Sequence, residues 1–96
     1  MKILLIEDEK ILRISLSKTL QRAGYAVYPC DDGGKAISIL GKEIFDLVLT
    51  DIRLPGKSGL DILKHIQKKH PNIKVIMMTA FGSVESAVGA LKMGAS

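Results

Sequence analysis

The chain has one cysteine, Cys30, no tryptophan and only 4% aromatic residues. A single thiol excludes an internal disulfide and a multi-cysteine zinc site, and it suits a reducing, cytoplasmic setting. So few rings argue against a base-stacking platform for nucleic acid. Long apolar runs are missing as well. Ile3–Ile6 and Val75–Met78 are strand-sized, far short of the ~20 residues that cross a bilayer, so no membrane span is expected. Glu7, Asp8 and Glu9 follow the first run at once, which is not the layout of a secretory leader. Basic residues outnumber acidic ones by 14 to 10, a net charge of +4. Yet the bases are scattered, at Lys10, Arg13, Lys18, Arg22, Lys35, Lys42, Lys64 and Lys92, and only Lys68-Lys69 are adjacent. That pattern reads as solvated helix faces, so no direct nucleic-acid binding is expected of this segment.

What is present is a globular balance in 96 residues, 47% apolar and 25% charged, enough for a single domain spanning 1–96. Lys2–Ile6 reads as a buried strand. A helix follows from about Glu9 to Ala23, with Leu12, Leu16 and Leu20 as its core stripe, Lys10, Arg13, Lys18 and Arg22 free for solvent, and Gly24 as its stop. Tyr25–Cys30 is a second strand. Asp31 or Asp32 can cap a helix whose Ala36, Ile37 and Leu40 face inward and which Gly41 ends. Asp46–Thr50 is a third strand. Pro55-Gly56 breaks the chain, and Ser58 with Asp61 resembles a capping box opening a helix that carries Leu60, Leu63 and Ile66. Lys74–Thr79 is a fourth strand. Ser83 caps a last helix with Val84, Ala87, Val88 and Leu91 inward, closed by Lys92 and Gly94. The order βαβαβαβα implies an α/β fold, a doubly wound parallel sheet with helices on both faces. Such a sheet binds ligands outside the carboxyl ends of its strands.

Acids stand at those ends. The first strand runs into Glu7-Asp8 and the third into Asp51, while the fourth ends in Thr79-Ala80. Three carboxylates brought together would repel one another and raise one another's pKa unless a cation lies among them. Hard oxygen donors on a shallow surface suit Mg²⁺, which keeps several waters and takes one or two carboxylates plus a phosphate. Taken singly, the same residues have plainer uses: Asp8 as a helix cap, Asp51 as a turn cap, Glu7 as a solvated acid. No glycine follows the first strand, which excludes both a dinucleotide fingerprint and a P-loop.

Three segments in this order, Ile3-Leu4-Leu5-Ile6-Glu7-Asp8-Glu9, Leu49-Thr50-Asp51-Ile52-Arg53-Leu54-Pro55-Gly56-Lys57-Ser58-Gly59-Leu60 and Val75-Ile76-Met77-Met78-Thr79-Ala80, resemble the response-regulator receiver domain of two-component signalling. The stretch Thr79–Val88 is most similar to receivers of NtrC-type enhancer-binding activators. The resemblance covers the whole chain and implies a flavodoxin-like receiver fold. It implies that Asp51 is the phosphoacceptor, served by a sensor histidine kinase, and that phosphorylation switches an output domain, for the NtrC type one that regulates transcription. Mg²⁺ would be held by Glu7, Asp8, Asp51 and the backbone carbonyl of Arg53. Thr79 would contact the phosphoryl group and move toward it, the Ala80 N–H would approach it, and Arg53 and Phe81 would tune water access. Such a domain is a signalling module, an enzyme only toward its own phosphorylation and dephosphorylation.

The resemblance also implies that the fifth strand and fifth helix of the family are missing, together with the phosphoryl-contacting lysine and the switch aromatic. Lys92 lies on the fourth helix and does not replace that lysine; Phe81 sits in a loop and does not replace the aromatic. Met1 falls where receivers begin, whereas Ser96 falls before their end, as in a truncated form or a fragment of a longer regulator. Without a fifth strand, Lys74–Thr79 is expected to be an edge, favouring a homodimer or higher assembly through the fourth strand and fourth helix. Two rival functions are weighed. A haloacid-dehalogenase-like phosphatase needs a second acid two residues after its nucleophile, where this chain has Arg53. An interaction module independent of phosphorylation keeps the fold without using Asp51. Cys30 reads as a small core residue, Met77 and Met78 as strand core, and His65 and His70 as remote from the acids.

Overall fold

The structure is a computed structural model and describes residues 1–52, 54 and 57–78. Arg53, Thr79, Ala80, Phe81, the helix expected after Ser83, and Lys92 lie outside the described residues. Seven elements are described: β1 (Lys2–Ile6), α1 (Lys10–Arg22), β2 (Ala26–Cys30), α2 (Gly33–Leu40), β3 (Leu47–Asp51), α3 (Gly59–Lys69) and β4 (Lys74–Met78). The four strands form one parallel sheet in the order β2-β1-β3-β4. No helix among the described residues is long and apolar enough to cross a membrane.

Strand periodicity divides the core in two. Ile3 and Leu5 of β1, Leu47 and Leu49 of β3, and Ile76 of β4 face one side, where Leu16 and Leu20 of α1 cover them. Leu4, Ile6 and Val48 face the other, against Ala36 and Leu40 of α2 and Ile62 and Ile66 of α3. Side chains alternate across a strand, so one apolar run serves both layers. Burying each large aliphatic side chain contributes roughly 1.5–3 kcal/mol, and the central strands β1 and β3 supply the most completely buried ones. Pro29 has no N–H for the ladder, and it falls on β2, the edge strand where that loss is tolerated.

The helix boundaries have local causes. Gly24 ends α1 with φ at 98°, the left-handed region that glycine enters without strain. Asp32, not Asp31, caps α2 by accepting from the Lys35 N–H. Ser58 and Asp61 form the expected capping box on α3. One expected core position is corrected. Leu60 is 54% exposed, because α3 begins at Gly59 and presents Ile62 and Ile66, four residues apart, to the sheet.

Candidate functional site

The sheet order places the acids. β1 lies between β2 and β3: α1 carries the chain outward from β1 to β2, α2 carries it back past β1 to β3, and the two helices cover opposite faces. Between β1 and β3 the carboxyl ends open a crevice. The register pairs Ile6 with Thr50, which brings Glu7 opposite Asp51. Glu7 continues the face of Ile3 and Leu5, and Asp51 that of Leu47 and Leu49. Parity and register together aim both carboxyls to the same side. One carboxylate oxygen from each of Glu7, Asp8 and Asp51 lies within 4.8 Å of the other two, a spacing that one small cation can bridge.

The three consecutive acids have separate jobs. Glu7 is 2% exposed, and its Oε2 is buried without a hydrogen-bond partner among the described residues. Burial, then the hydrogen bond it shares with the Asp51 carboxyl and the charges of Asp51 and Asp8, push its pKa up to about 7. Asp8 is exposed at the crevice mouth. Glu9 is the cap of α1: its carboxylate accepts from the Ile11 N–H at 3.3 Å and the Leu12 N–H at 2.7 Å. The plainer use considered for Asp8 thus falls to its neighbour, and Asp8 is left for the crevice. An orphaned buried oxygen within a cluster of hard anionic donors fits a divalent cation such as Mg²⁺, which would give Glu7 Oε2 a partner and offset the mutual repulsion.

Backbone contacts hold the crevice in shape. The Glu7 N–H donates to the Cys30 carbonyl at 2.9 Å, tying the turn after β1 to β2. Cys30 itself is buried; its Sγ bonds to the Asp32 carbonyl at 3.3 Å, and burial raises its pKa, as suits a core thiol. The Gly59 N–H donates to the Ile52 carbonyl at 2.9 Å, and a Cβ on Gly59 would collide with the Asp51 carbonyl and come within 2.9 Å of the Ile52 Cα. A Cβ on Gly33 would strike the Lys57 carbonyl. Both ends of the loop after Asp51 therefore depend on a missing side chain. His65 and His70 stand on and just after α3, their rings 5.6 Å apart, and take no part in the carboxylate cluster.

Two features were not legible in advance. Arg13 is half-buried rather than solvated, with Nη1 donating to the Glu7 carbonyl at 2.9 Å and to the Asp8 carbonyl at 3.3 Å. The available signal was a cation in the first turns of a helix, against the macrodipole. The Gly33–Lys57 approach had none, because it joins segments distant in sequence.

Comparison with known proteins agrees with this geometry. The family model for the response regulator receiver domain matches residues 3–96. The response regulator protein PilR of Pseudomonas aeruginosa is 44% identical over 94 residues, 98% of this chain and 21% of PilR. The DNA-binding transcriptional regulator NtrC of Escherichia coli is 36% identical over 90 residues, 94% of this chain and 19% of its own length. The chain thus spans about a fifth of these relatives. Among solved structures, the response regulator TrrA of Thermotoga maritima, in complex with Mg²⁺ and BeF, superposes with a TM-score of 0.80. It is 33% identical and covers 94% of this chain and 78% of TrrA.

Proposed function

Because the chain belongs to the response regulator receiver domain family, we propose that Asp51 is its phosphoacceptor and that Glu7, Asp8 and Asp51, with the Arg53 carbonyl, hold Mg²⁺. The observation that carries the reading is the orphaned, buried Glu7 Oε2 inside a carboxylate cluster no wider than 4.8 Å. An Asp51 carboxylate oxygen attacks the phosphorus of a phosphohistidine on a sensor histidine kinase. The P–N bond breaks, the imidazole leaves and takes up a proton, and an aspartyl phosphate remains until water hydrolyses it. Mg²⁺ held by Glu7, Asp8 and Asp51 would neutralise charge developing on the transferring phosphoryl group. Thr79 and the Ala80 N–H contact the phosphoryl group, and Arg53 and Phe81 set water access. The domain is a cytoplasmic signalling module that acts on no external substrate. Its phosphorylation switches an output domain that regulates transcription, a reading supported by the similarity to NtrC. Treatment of the protein in its natural length with acetyl phosphate and Mg²⁺, followed by mass spectrometry, tests it. Phosphate on Asp51, lost in Asp51→Asn, is expected; modification elsewhere with Asp51 untouched contradicts it.

A second reading concerns the 96 residues taken by themselves. β4 is the outer strand of the described sheet, and a groove of about 670 Å³ lined by Leu63, Ile66, Ile73 and Val75 runs beside it. We propose that these residues in isolation assemble as a dimer or higher form through that edge, as an interaction module that does not use phosphorylation. Sedimentation at micromolar concentration is the check: a folded monomer contradicts the assembly.

A further inference from the structure

We propose that Arg13 is a positioning residue for the acidic site, fixing the backbone that aims Glu7 and Asp8 into the crevice. The inference rests on the reading of Glu7, Asp8 and Asp51 as a Mg²⁺ site and adds a residue that is not itself a ligand.

Arg13 stands in the opening turns of α1, just after Lys10. Positive charge there opposes the helix macrodipole, and the acid at that end, Glu9, is already engaged as the cap by the Ile11 and Leu12 N–H groups. An arginine in that place needs another reason. Its guanidinium supplies one: Nη1 donates to two successive carbonyls, Glu7 at 2.9 Å and Asp8 at 3.3 Å. The Arg13 backbone N–H donates to the Glu9 carbonyl at 2.9 Å. One residue thus engages the main chain of all three acids.

The geometry gives this consequence. The Glu7 N–H is held by Cys30 of β2, while the Ile52 N–H beyond β3 donates to the Met78 carbonyl of β4. The ladder diverges at this point, and the Glu7 carbonyl takes its bond from Arg13. With the N–H of Glu7 and the carbonyls of Glu7 and Asp8 all engaged, the two peptide planes flanking Asp8 are fixed. Rotation of either plane would swing the Asp8 carboxylate away from the crevice. Arginine suits the task because Nη1 alone carries two N–H donors, one for each carbonyl, and the guanidinium stays charged at any working pH. Groups that orient ligands from behind typically change metal affinity 10–100-fold when removed.

Charge and position predict opposite signs, and the test uses that. Deleting a nearby cation, by itself, makes an acidic site bind Mg²⁺ more tightly. Deleting a positioning group makes it bind more weakly. Mg²⁺ titration of isotope-labelled protein, followed through the Glu7, Asp8 and Asp51 amide signals, should show Arg13→Ala weakened by about 10-fold or more. Arg13→Lys should recover part of the loss, and exchange of the backbone amides of Asp8 and Glu9 should accelerate in Arg13→Ala. Arg13→Met keeps an apolar stem without a donor or charge and serves if Arg13→Ala does not fold. Unchanged or tighter binding in a folded variant overturns the proposal. Asp8→Asn is the control for the underlying reading. If it leaves Mg²⁺ binding intact, the site assignment fails; if it abolishes binding while Arg13→Ala does not weaken it, the role given to Arg13 fails alone.

Discussion

The two ends of the sheet treat charge in opposite ways. At the amino end, Lys2 Nζ pairs with Glu43 at 2.9 Å and lies over the rings of Tyr28 and Phe45 at 4.7 and 5.0 Å. The Lys2 N–H meets the Asp46 carboxylate at 2.7 Å, and the two rings meet edge to face. Both of these acids have a donor, and the cation has partners. At the carboxyl end, three carboxylates crowd together and Glu7 keeps a buried oxygen without a partner. One sheet therefore carries a satisfied end, where local bonds stabilise the fold, and an unsatisfied end, where repulsion is kept and a cation is wanted. Folds break local rules of this kind at functional sites and are consistent elsewhere.

Acidity breaks the comparison most sharply. The Glu7 pKa of about 7 in the folded chain stands above its ordinary value of 4.5, so the folded state binds more protons than the unfolded state between those values. Stability of the metal-free protein should therefore fall as pH rises from about 4.5 to 7, by on the order of 2–3 kcal/mol. Asp31 and Asp61, whose pKa values are lowered by hydrogen bonds, act below pH 4 in the opposite sense; His65, lowered from 6.5 by burial and by the charges of His70 and Lys69, acts inside the window in the opposite sense, and does so equally in a Glu7 variant. Denaturant unfolding in chelator at pH 5.5 and 8 should show the decline in wild type. Glu7→Gln should lack this decline and be the more stable of the two at pH 8. Equal slopes in both proteins would refute the assignment.

Packing separates the ends next. Gly59→Ala would push a Cβ into the Asp51 carbonyl, and such overpacking costs about 1–3 kcal/mol. Gly41, which caps α2 toward the amino end, has φ at −76° and 3.5 Å to the nearest atom, so Gly41→Ala should be neutral or slightly stabilising. Thermal midpoints of the two variants check the contrast; equal shifts would remove it. The smallest effect belongs to Lys2. Lys2→Met removes a solvent-accessible ion pair and cation–π contact, which water and salt screen, so its thermal midpoint should move least of the three. It should leave Mg²⁺ affinity unchanged, which a titration would show.

Much of this arrangement was legible in the sequence. Ile3–Ile6, Leu47–Leu49 and Val75–Met78 are continuous apolar runs because the strands are buried on both faces. Glu7 and Asp51 follow their runs directly, so their place at the carboxyl ends could be inferred from order alone. Three things were hidden. Glu7, Asp8 and Glu9 are chemically alike, and only backbone geometry shows that Glu9 is the cap. Leu60 fits an apolar stripe until the start of α3 fixes the helix phase. The contacts of Arg13 and Gly33 depend on where a side chain or a distant loop comes to rest, which periodicity does not encode.

The central claim is that the unsatisfied end of the sheet is a Mg²⁺-dependent phosphoacceptor. The most direct measurement is site-resolved mass spectrometry of the protein in its natural length after acetyl phosphate, with Mg²⁺ and with chelator. The account predicts phosphate on Asp51 only when Mg²⁺ is present, greatly reduced in Asp8→Asn and absent in Asp51→Asn. Phosphate at another residue, or equal labelling of Asp51 in chelator, would contradict it.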